Sequence, residues 1–119
     1  MPHQDRIVGI DVCKRNAAAC IRSLQRWLST PGTPAGEQEL IAWLRDNGVG
    51  LAVMEASGGY ERGWAQALHK AGIAVRIVDP KRVRYFAKSA GRLAKNDPID
   101  AEMIAWFAET FATEGGAGV

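Results

Sequence analysis

The sequence has little cysteine and no long apolar run. Two cysteines, Cys13 and Cys20, are too few for a disulfide framework and form no zinc-ligand pattern; we expect both to be reduced, buried thiols. No apolar run approaches the ~18 residues that cross a bilayer, and the N-terminus, MPHQDR, lacks the basic start and apolar stretch of a signal peptide. These absences exclude a disulfide-rich scaffold and a membrane-spanning protein, and they predict a cytoplasmic location away from membranes.

The length and composition are those of one globular domain. The chain has 119 residues, of which 47% are hydrophobic. A chain of this size buries roughly 60–70% of its unfolded surface, which is enough for one core without cross-links. We therefore expect a single folded domain.

Positive charge is concentrated in residues 76–95. This segment has seven basic side chains and one acid, whereas the rest of the chain has eight basic and twelve acidic side chains. A polyanionic partner is one reason for such a segment, and a solvated helix face is an equally good one. The candidate nucleic-acid-binding residues are Lys81, Arg82, Arg84, Lys88, Arg92 and Lys95.

Helical spacing would align part of this basic set. Lys81, Arg84, Lys88 and Arg92 are separated by three, seven and eleven residues from the first, so one continuous helix would place them on one side. Tyr85 falls off the apolar stripe of the same predicted helix, in a position to contact nucleic acid.

Periodicity and turn residues predict alternating strands and helices. The predicted strands cover residues 6–12, 17–23, 24–30, 51–54 and 73–78, and the predicted helices cover 34–46, 60–71, 80–90 and 97–111. Short connections make the first three strands antiparallel, and helical connections make the later ones parallel. The order βββαβαβαα is that of an α/β, ribonuclease H-like fold, with a mixed sheet of about five strands flanked by helices.

Two carboxylates stand at the ends of buried strands. Asp11 ends the first strand and Glu55 follows the strand LAVM. Because sites in open α/β sheets form beyond the carboxyl ends of parallel strands, neighbouring strands would bring the two acids together. Alternatively, each acid caps the turn that follows it, through Lys14, Ser57 or Gly58.

Two more carboxylates, Asp97 and Asp100, share a face at the predicted start of the last helix. Asp97-Pro98 is a good helix cap, which is the simpler explanation for these acids. Asp100, however, lies in register with an apolar stripe that faces the core. Four hard oxygen ligands of this kind would select Mg²⁺ or Mn²⁺.

Three segments carry recognisable motifs: VGIDVCK (8–14), MEASGGY (54–60) and DPKRVRYFAKSAGRLAKNDPIDAEMIA (79–105). In this order they resemble the successive motifs of DEDD transposases from bacterial insertion sequences, the bridge-RNA-guided group related to the Piv DNA invertase. The resemblance covers residues 6–112 and implies a RuvC-like catalytic domain. Its catalytic, metal-binding carboxylates would be Asp11, Glu55, Asp97 and Asp100.

The resemblance also implies an activity and partners. These are Mg²⁺-dependent (or Mn²⁺-dependent) DNA strand cleavage and exchange in transposition, a guide RNA, and a homo-oligomer, dimer or tetramer, in the bacterial cytoplasm. The chain departs from the family at Cys13, where serine is usual, and at 16–19, which lack the usual Leu-Asp-Val-like run.

The resemblance further implies a second domain. We expect 1–112 to be the catalytic domain and 113–119 to be a Gly-rich tail or truncation point, because the family carries its serine nucleophile on a C-terminal domain that this sequence does not contain. Two alternatives stay open: a truncated, inactive module for nucleic-acid binding or oligomerisation, and a stand-alone RuvC-like nuclease.

Overall fold

The computed structural model describes residues 6–92 and 99–118, with 112–118 described by their backbone alone. The predicted order of strands and helices is confirmed. The elements are β1 (Arg6–Val12), β2 (Asn16–Ile21), β3 (Arg26–Pro31), α1 (Pro34–Asp46), β4 (Val49–Glu55), α2 (Glu61–Lys70), β5 (Ala74–Val78), α3 (Pro80–Ser89) and α4 (Ala101–Gly118). A 3₁₀ turn, Arg22–Leu24, separates β2 from β3.

The strands form one mixed sheet in the order β3-β2-β1-β4-β5. β1, β2 and β3 form an antiparallel meander, whereas β1, β4 and β5 are parallel. The antiparallel strands are joined by connections too short for an α-helix, whereas the parallel strands are joined by helices. Parallel neighbours need such long crossover connections, and antiparallel neighbours do not. Ile10 of β1 pairs with Met54 of β4, so the last residues of these two strands lie side by side.

Each face of the sheet covers its own core. On one face, the apolar residues of β1 and β4 pack with Leu40 and Leu44 of α1 and with Trp64 and Leu68 of α2. On the other face, Val53 packs with residues of α3 and α4, which include Val83, Ile104 and Phe107. Burial on both faces explains why the central strands read as nearly continuous apolar runs.

Capping groups set several helix ends where the sequence predicts them. The Thr33 hydroxyl accepts from Gly36 N–H at 3.0 Å at the start of α1, and the Asp79 carboxylate accepts from Lys81 N–H at 2.9 Å at the start of α3. Gly72 follows α2 with a φ of 85°, a left-handed conformation that ends a helix at little cost when the residue is glycine.

The last helix differs from its prediction. It begins at Ala101 rather than at 97, and the Asp100 carboxylate accepts from Met103 N–H at 2.9 Å. Asp100 is therefore the cap and not the third helical residue. Asp97, the predicted cap, lies outside the described residues. At the other end, α4 continues to Gly118 instead of stopping at Phe111, so 113–118 are helical where a tail was expected.

The two cysteines differ in environment. Cys20 is buried, as predicted, but Cys13 is exposed, so the prediction of two buried thiols is wrong for Cys13. Cys13 follows the end of β1, where the chain turns toward β2 and leaves the sheet. Among the described helices, none is long and apolar enough to cross a membrane.

Candidate metal centre and adjoining basic surface

The strand register brings Asp11 and Glu55 to one edge of the sheet. Each follows a member of the Ile10–Met54 pair on adjacent parallel strands. Ile10 and Met54 belong to the core on the α1 and α2 side. Because side chains alternate along a strand, Asp11 and Glu55 project on the opposite side, toward α4.

Helix α4 brings Asp100 to the same place. It lies close against β1 at Gly9, where an added Cβ would lie 2.9 Å from Ala105 Cα and still closer to the carbonyl oxygen of Ala101. Gly9 and Asp11 are two residues apart and so share a face of β1. Asp100 immediately precedes Ala101, and it therefore stands at the end of the helix that reaches Asp11.

The charges of these carboxylates act on one another. Burial raises the pKa of Asp11, and the neighbouring charge of Asp100 raises it further. Burial also raises the pKa of Glu55; the charge of Asp11 adds to this, and the charge of Arg84 opposes it. Like charges that disfavour each other's ionised form in this way mark a cluster that a bound cation would stabilise.

Glu55 has a buried oxygen, its Oε2, with no hydrogen-bond partner in the described part of the chain. Leaving a carboxylate oxygen buried in this way is costly. The turn after Glu55, which the sequence offered as an alternative partner, is instead capped by another residue. A carboxylate oxygen in this setting is chemically suited to bind a cation.

That other residue is Glu61, at the start of α2. Its Oε1 accepts from Ser57 N–H at 3.0 Å, Ser57 O–H at 3.0 Å and Gly59 N–H at 3.1 Å. These hydrogen bonds, led by that of the Ser57 backbone, lower the pKa of Glu61. The loop after β4 is thus closed without the help of Glu55.

A hard divalent cation fits this donor set. In residues 6–92 and 99–118, no group of three histidine, cysteine or acidic side chains is already arranged to hold a metal ion. Asp97, the remaining predicted ligand, lies outside these residues. The chemistry still fits, because Asp11, Glu55 and Asp100 offer carboxylate oxygens, which Mg²⁺ and Mn²⁺ prefer. One of these oxygens is buried and accepts no hydrogen bond from residues that the structure describes.

The described basic residues predicted to bind nucleic acid lie in two different places in the structure. Lys81, Arg84 and Lys88 line a shallow cleft of about 210 Å³ together with Tyr85, on the outward face of α3. The other described members lie against α4 instead. Lys95 lies outside the described residues. The cleft therefore gathers three members of this set in one place.

Arg82 and Arg92 pack on aromatic rings of α4. The guanidinium carbon of Arg82 is 5.6 Å from the ring centre of Phe107, and that of Arg92 is 5.3 Å from the ring centre of Trp106. The predicted alignment of Arg92 with Lys81, Arg84 and Lys88 is wrong, because α3 ends at Ser89. Gly91, with a φ of 73°, turns the chain out of the helix before Arg92.

Sequence reasoning missed two contributors to the site. Glu61 was visible only as an acid in the first turn of a predicted helix, and its position four residues after Ser57 was the available signal. Arg84 was assigned to nucleic acid alone, yet its charge also acts on Glu55. Both roles depend on tertiary contacts across the end of β4.

The sheet order and the acidic edge define an α/β domain of the ribonuclease H-like fold. A comparison with solved structures finds T. thermophilus RuvC in complex with a Holliday junction substrate, with a TM-score of 0.63, 15% sequence identity, and coverage of 93% of this chain and 97% of that chain. At this identity the likeness establishes the fold.

The family follows from the sequence itself. The model of the DEDD_Tnp_IS110 family, described as Transposase, matches residues 8–113. The chain belongs to this family of transposases, as its three motifs predict. A search of curated proteins found no match.

Proposed function

We propose that this chain is the catalytic domain of a DNA transposase, with Asp11, Glu55, Asp97 and Asp100 as metal ligands. The single observation that carries the proposal is the buried Oε2 of Glu55, which has no hydrogen-bond partner among the described residues, at the edge where the charge of Asp11 reaches it. Membership of a transposase family supports the same reaction class. We take residues 1–112 as this domain, and a catalytic serine is supplied by a second domain of the transposase.

Each described residue has a physical task in this proposal. Asp11 is the next-to-last residue of β1 and Glu55 is the last residue of β4, and the pairing of these strands holds the two carboxylates in fixed relation. Asp100 is fixed at the start of α4 by its hydrogen bond from Met103 N–H. When bound, Mg²⁺ or Mn²⁺ would activate the attacking oxygen and stabilise the leaving oxygen of a phosphodiester. Arg84 offsets part of the charge of Glu55.

DNA is the proposed substrate. The structural neighbour RuvC is in complex with a Holliday junction substrate, and the family's members are transposases. The basic face of α3 lies beside Glu55 through Arg84, so a phosphate backbone on this face would reach the carboxylates. Strand exchange, a guide RNA and a homo-oligomer, dimer or tetramer, are further parts of the proposal that rest on the family resemblance.

A metal-dependent shift in melting temperature tests the proposal. A ligand that binds only the folded state raises the melting temperature, so Mg²⁺ or Mn²⁺ should stabilise the wild-type chain. Glu55→Gln should lose most of that gain. The matched control is Glu39→Gln, which removes an exposed carboxylate from α1 on the other side of the sheet. A gain that Glu55→Gln leaves intact would contradict the proposed ligand set.

A second candidate function is binding of nucleic acid without cleavage. It is favoured by one observation: in the described part of the chain, no three ligands are already arranged around a metal position, whereas the basic cleft on α3 is formed. The two functions differ in their need for metal. Nucleic-acid binding in a chain that gains no stability from Mg²⁺ or Mn²⁺ would support the second candidate.

A further inference from the structure

We propose that the outward face of α3 is a site for single-stranded nucleic acid, in which an unpaired base stacks on Tyr85 and Lys81 and Lys88 contact the flanking phosphates. The inference rests on the proposed function in taking nucleic acid as the substrate. It adds that the nucleic acid is single-stranded at this site and that Tyr85 contacts the unpaired base.

Tyr85 is the most exposed of the large apolar side chains on the described surface, with 71% of its area open to solvent. α3 packs through its other side, where Val83 and Ala87 are buried and the ring of Phe86 lies 4.5 Å from that of Trp106. Among the described residues, no packing contact between aromatic rings therefore involves the Tyr85 ring. A single exposed aromatic side chain is common in proteins. The residues around Tyr85 must therefore show whether it belongs to a binding site.

The cleft around Tyr85 combines basic side chains with an exposed aromatic ring, which suits a ligand that has both an anionic and a flat, apolar part. Lys81 precedes Tyr85 by one helical turn and Lys88 follows it by one turn, so all three share a face. Within the described residues, neither lysine forms an ion pair. Ammonium groups on either side of a ring match two phosphates on either side of a base.

The cations near α4 show the contrast. Arg22 and Arg92 both lie over the ring of Trp106, at 5.4 and 5.3 Å, and Arg22 also pairs with Glu109 at 3.1 Å. These guanidinium groups join elements of the fold. Lys81 and Lys88 are exposed, as Arg92 is, but within the described residues they make no ring contact and no ion pair, and they lie on the side where Tyr85 is exposed.

Stacking selects single strands. In a duplex, both faces of each base are covered by neighbouring bases, whereas an unpaired base can stack on a protein ring. Such stacking accepts any base, because every base has a π face. Arg84 lines the same cleft and its charge reaches Glu55, so a strand held on Tyr85 would continue toward the carboxylates.

Fluorescence anisotropy with a labelled oligothymidylate, an oligouridylate of the same length and a duplex tests the inference. Strands of about 16 nucleotides cover a single-strand site. The assay contains a chelator, so a failure of the metal centre does not affect it. Both single strands should bind more tightly than the duplex, and a difference between them would show whether DNA or RNA is preferred.

The variants separate stacking from charge. Tyr85→Ala should weaken single-strand binding at least about fivefold and barely affect the duplex, whereas Tyr85→Trp should restore it. Lys81→Ala and Lys88→Ala should reduce the dependence of binding on salt. Trp27→Ala is the matched control, because Trp27 is an aromatic on β3 that is 55% exposed.

Three results would overturn the inference. The first is unchanged single-strand binding by Tyr85→Ala, and the second is an equal loss with Trp27→Ala. The third is binding of the duplex as tightly as of both single strands, which would assign the cleft to the phosphate backbone alone.

Discussion

Gly9 of β1 lies against the backbone of Ala105 in α4, with no room between them for a side chain. This contact places the start of α4 beside Asp11 and so positions Asp100. The close approach is possible only because glycine lacks a Cβ. The geometry of the acidic edge therefore depends on a residue with no chemistry of its own.

Gly9→Ala should destabilise the fold. The added methyl would overlap backbone atoms of α4, and overpacking of this kind costs about 1–3 kcal/mol or more. Urea denaturation measures the loss. Gly63→Ala is the control, because an added Cβ there meets only the Glu37 carboxylate at 4.0 Å; it should leave the free energy of unfolding unchanged or raise it by up to about 1 kcal/mol. Equal effects of the two variants would contradict the close contact.

Asp11 should weaken the metal-free fold at neutral pH. Burial and the charge of Asp100 raise its pKa, so the folded chain binds this proton more tightly than the unfolded chain does. The destabilisation is present in full above the raised pKa and is relieved as the pH falls through it toward the ordinary value of 3.8. Asp11→Asn should therefore raise the free energy of unfolding at pH 7 in chelator and have less effect near pH ~4. Denaturation at both pH values checks this.

Glu61 should behave in the opposite way. Its hydrogen bonds from Ser57 and Gly59 lower its pKa, so it stabilises the fold above its ordinary value of about 4.3, and that stability is lost as the pH falls through the lowered pKa. Glu61→Gln should cost about 1–3 kcal/mol at pH 7. An unchanged or raised free energy of unfolding for Glu61→Gln at pH 7 would contradict the assignment of the loop to Glu61.

Asp11 and Glu61 show which parts of the site could be predicted from the sequence and which could not. Strand-end position identified Asp11 and Glu55, because periodicity reveals buried strands and their ends. Glu61 looked like any acid in a first helical turn, since its partners, Ser57 and Gly59, become its neighbours only when the loop folds back. Local patterns carry no information about such a loop closure.

The helix ends show the same limit. Asp97-Pro98 is a strong local cap, yet α4 starts at Ala101 and is capped by Asp100. Contact between α4 and Gly9 favours a start that the local signal does not predict. Conversely, Gly91 was a local stop signal that should have separated Arg92 from the basic residues of α3. Tyr60, the first residue of the helix predicted over 60–71, is half-exposed and lies just before α2 begins.

The two thiols should react differently. Cys13 is exposed, whereas Cys20 is buried and its pKa is raised to about 11, first by burial and then by the charge of Glu102. Because the thiolate is the reactive form, a thiol reagent at pH 7 should modify Cys13 in the folded chain and Cys20 only after unfolding. Mass spectrometry of the labelled chain identifies the site. Rapid labelling of Cys20 under native conditions would contradict its place beneath α4.

The chain alone should form no covalent adduct with DNA. Ser57 is the serine nearest in sequence to the carboxylates, but its hydroxyl donates to Glu61 Oε1 at 3.0 Å and so closes the loop. We expect a denaturing gel of the chain with DNA and Mg²⁺ to show no protein–DNA band. A band that disappears with Ser57→Ala would show that this serine is a nucleophile. Hydrolysis without such a band would favour the stand-alone nuclease.

The most direct test of the central claim is the position of bound Mn²⁺ in crystals of this chain, read from its anomalous scattering. We predict a peak bound by Asp11 and Glu55 at the carboxyl edge of β1 and β4, and its absence in crystals of Glu55→Gln. A well-ordered acidic edge without Mn²⁺, or Mn²⁺ bound only at other carboxylates of the chain, would contradict the account.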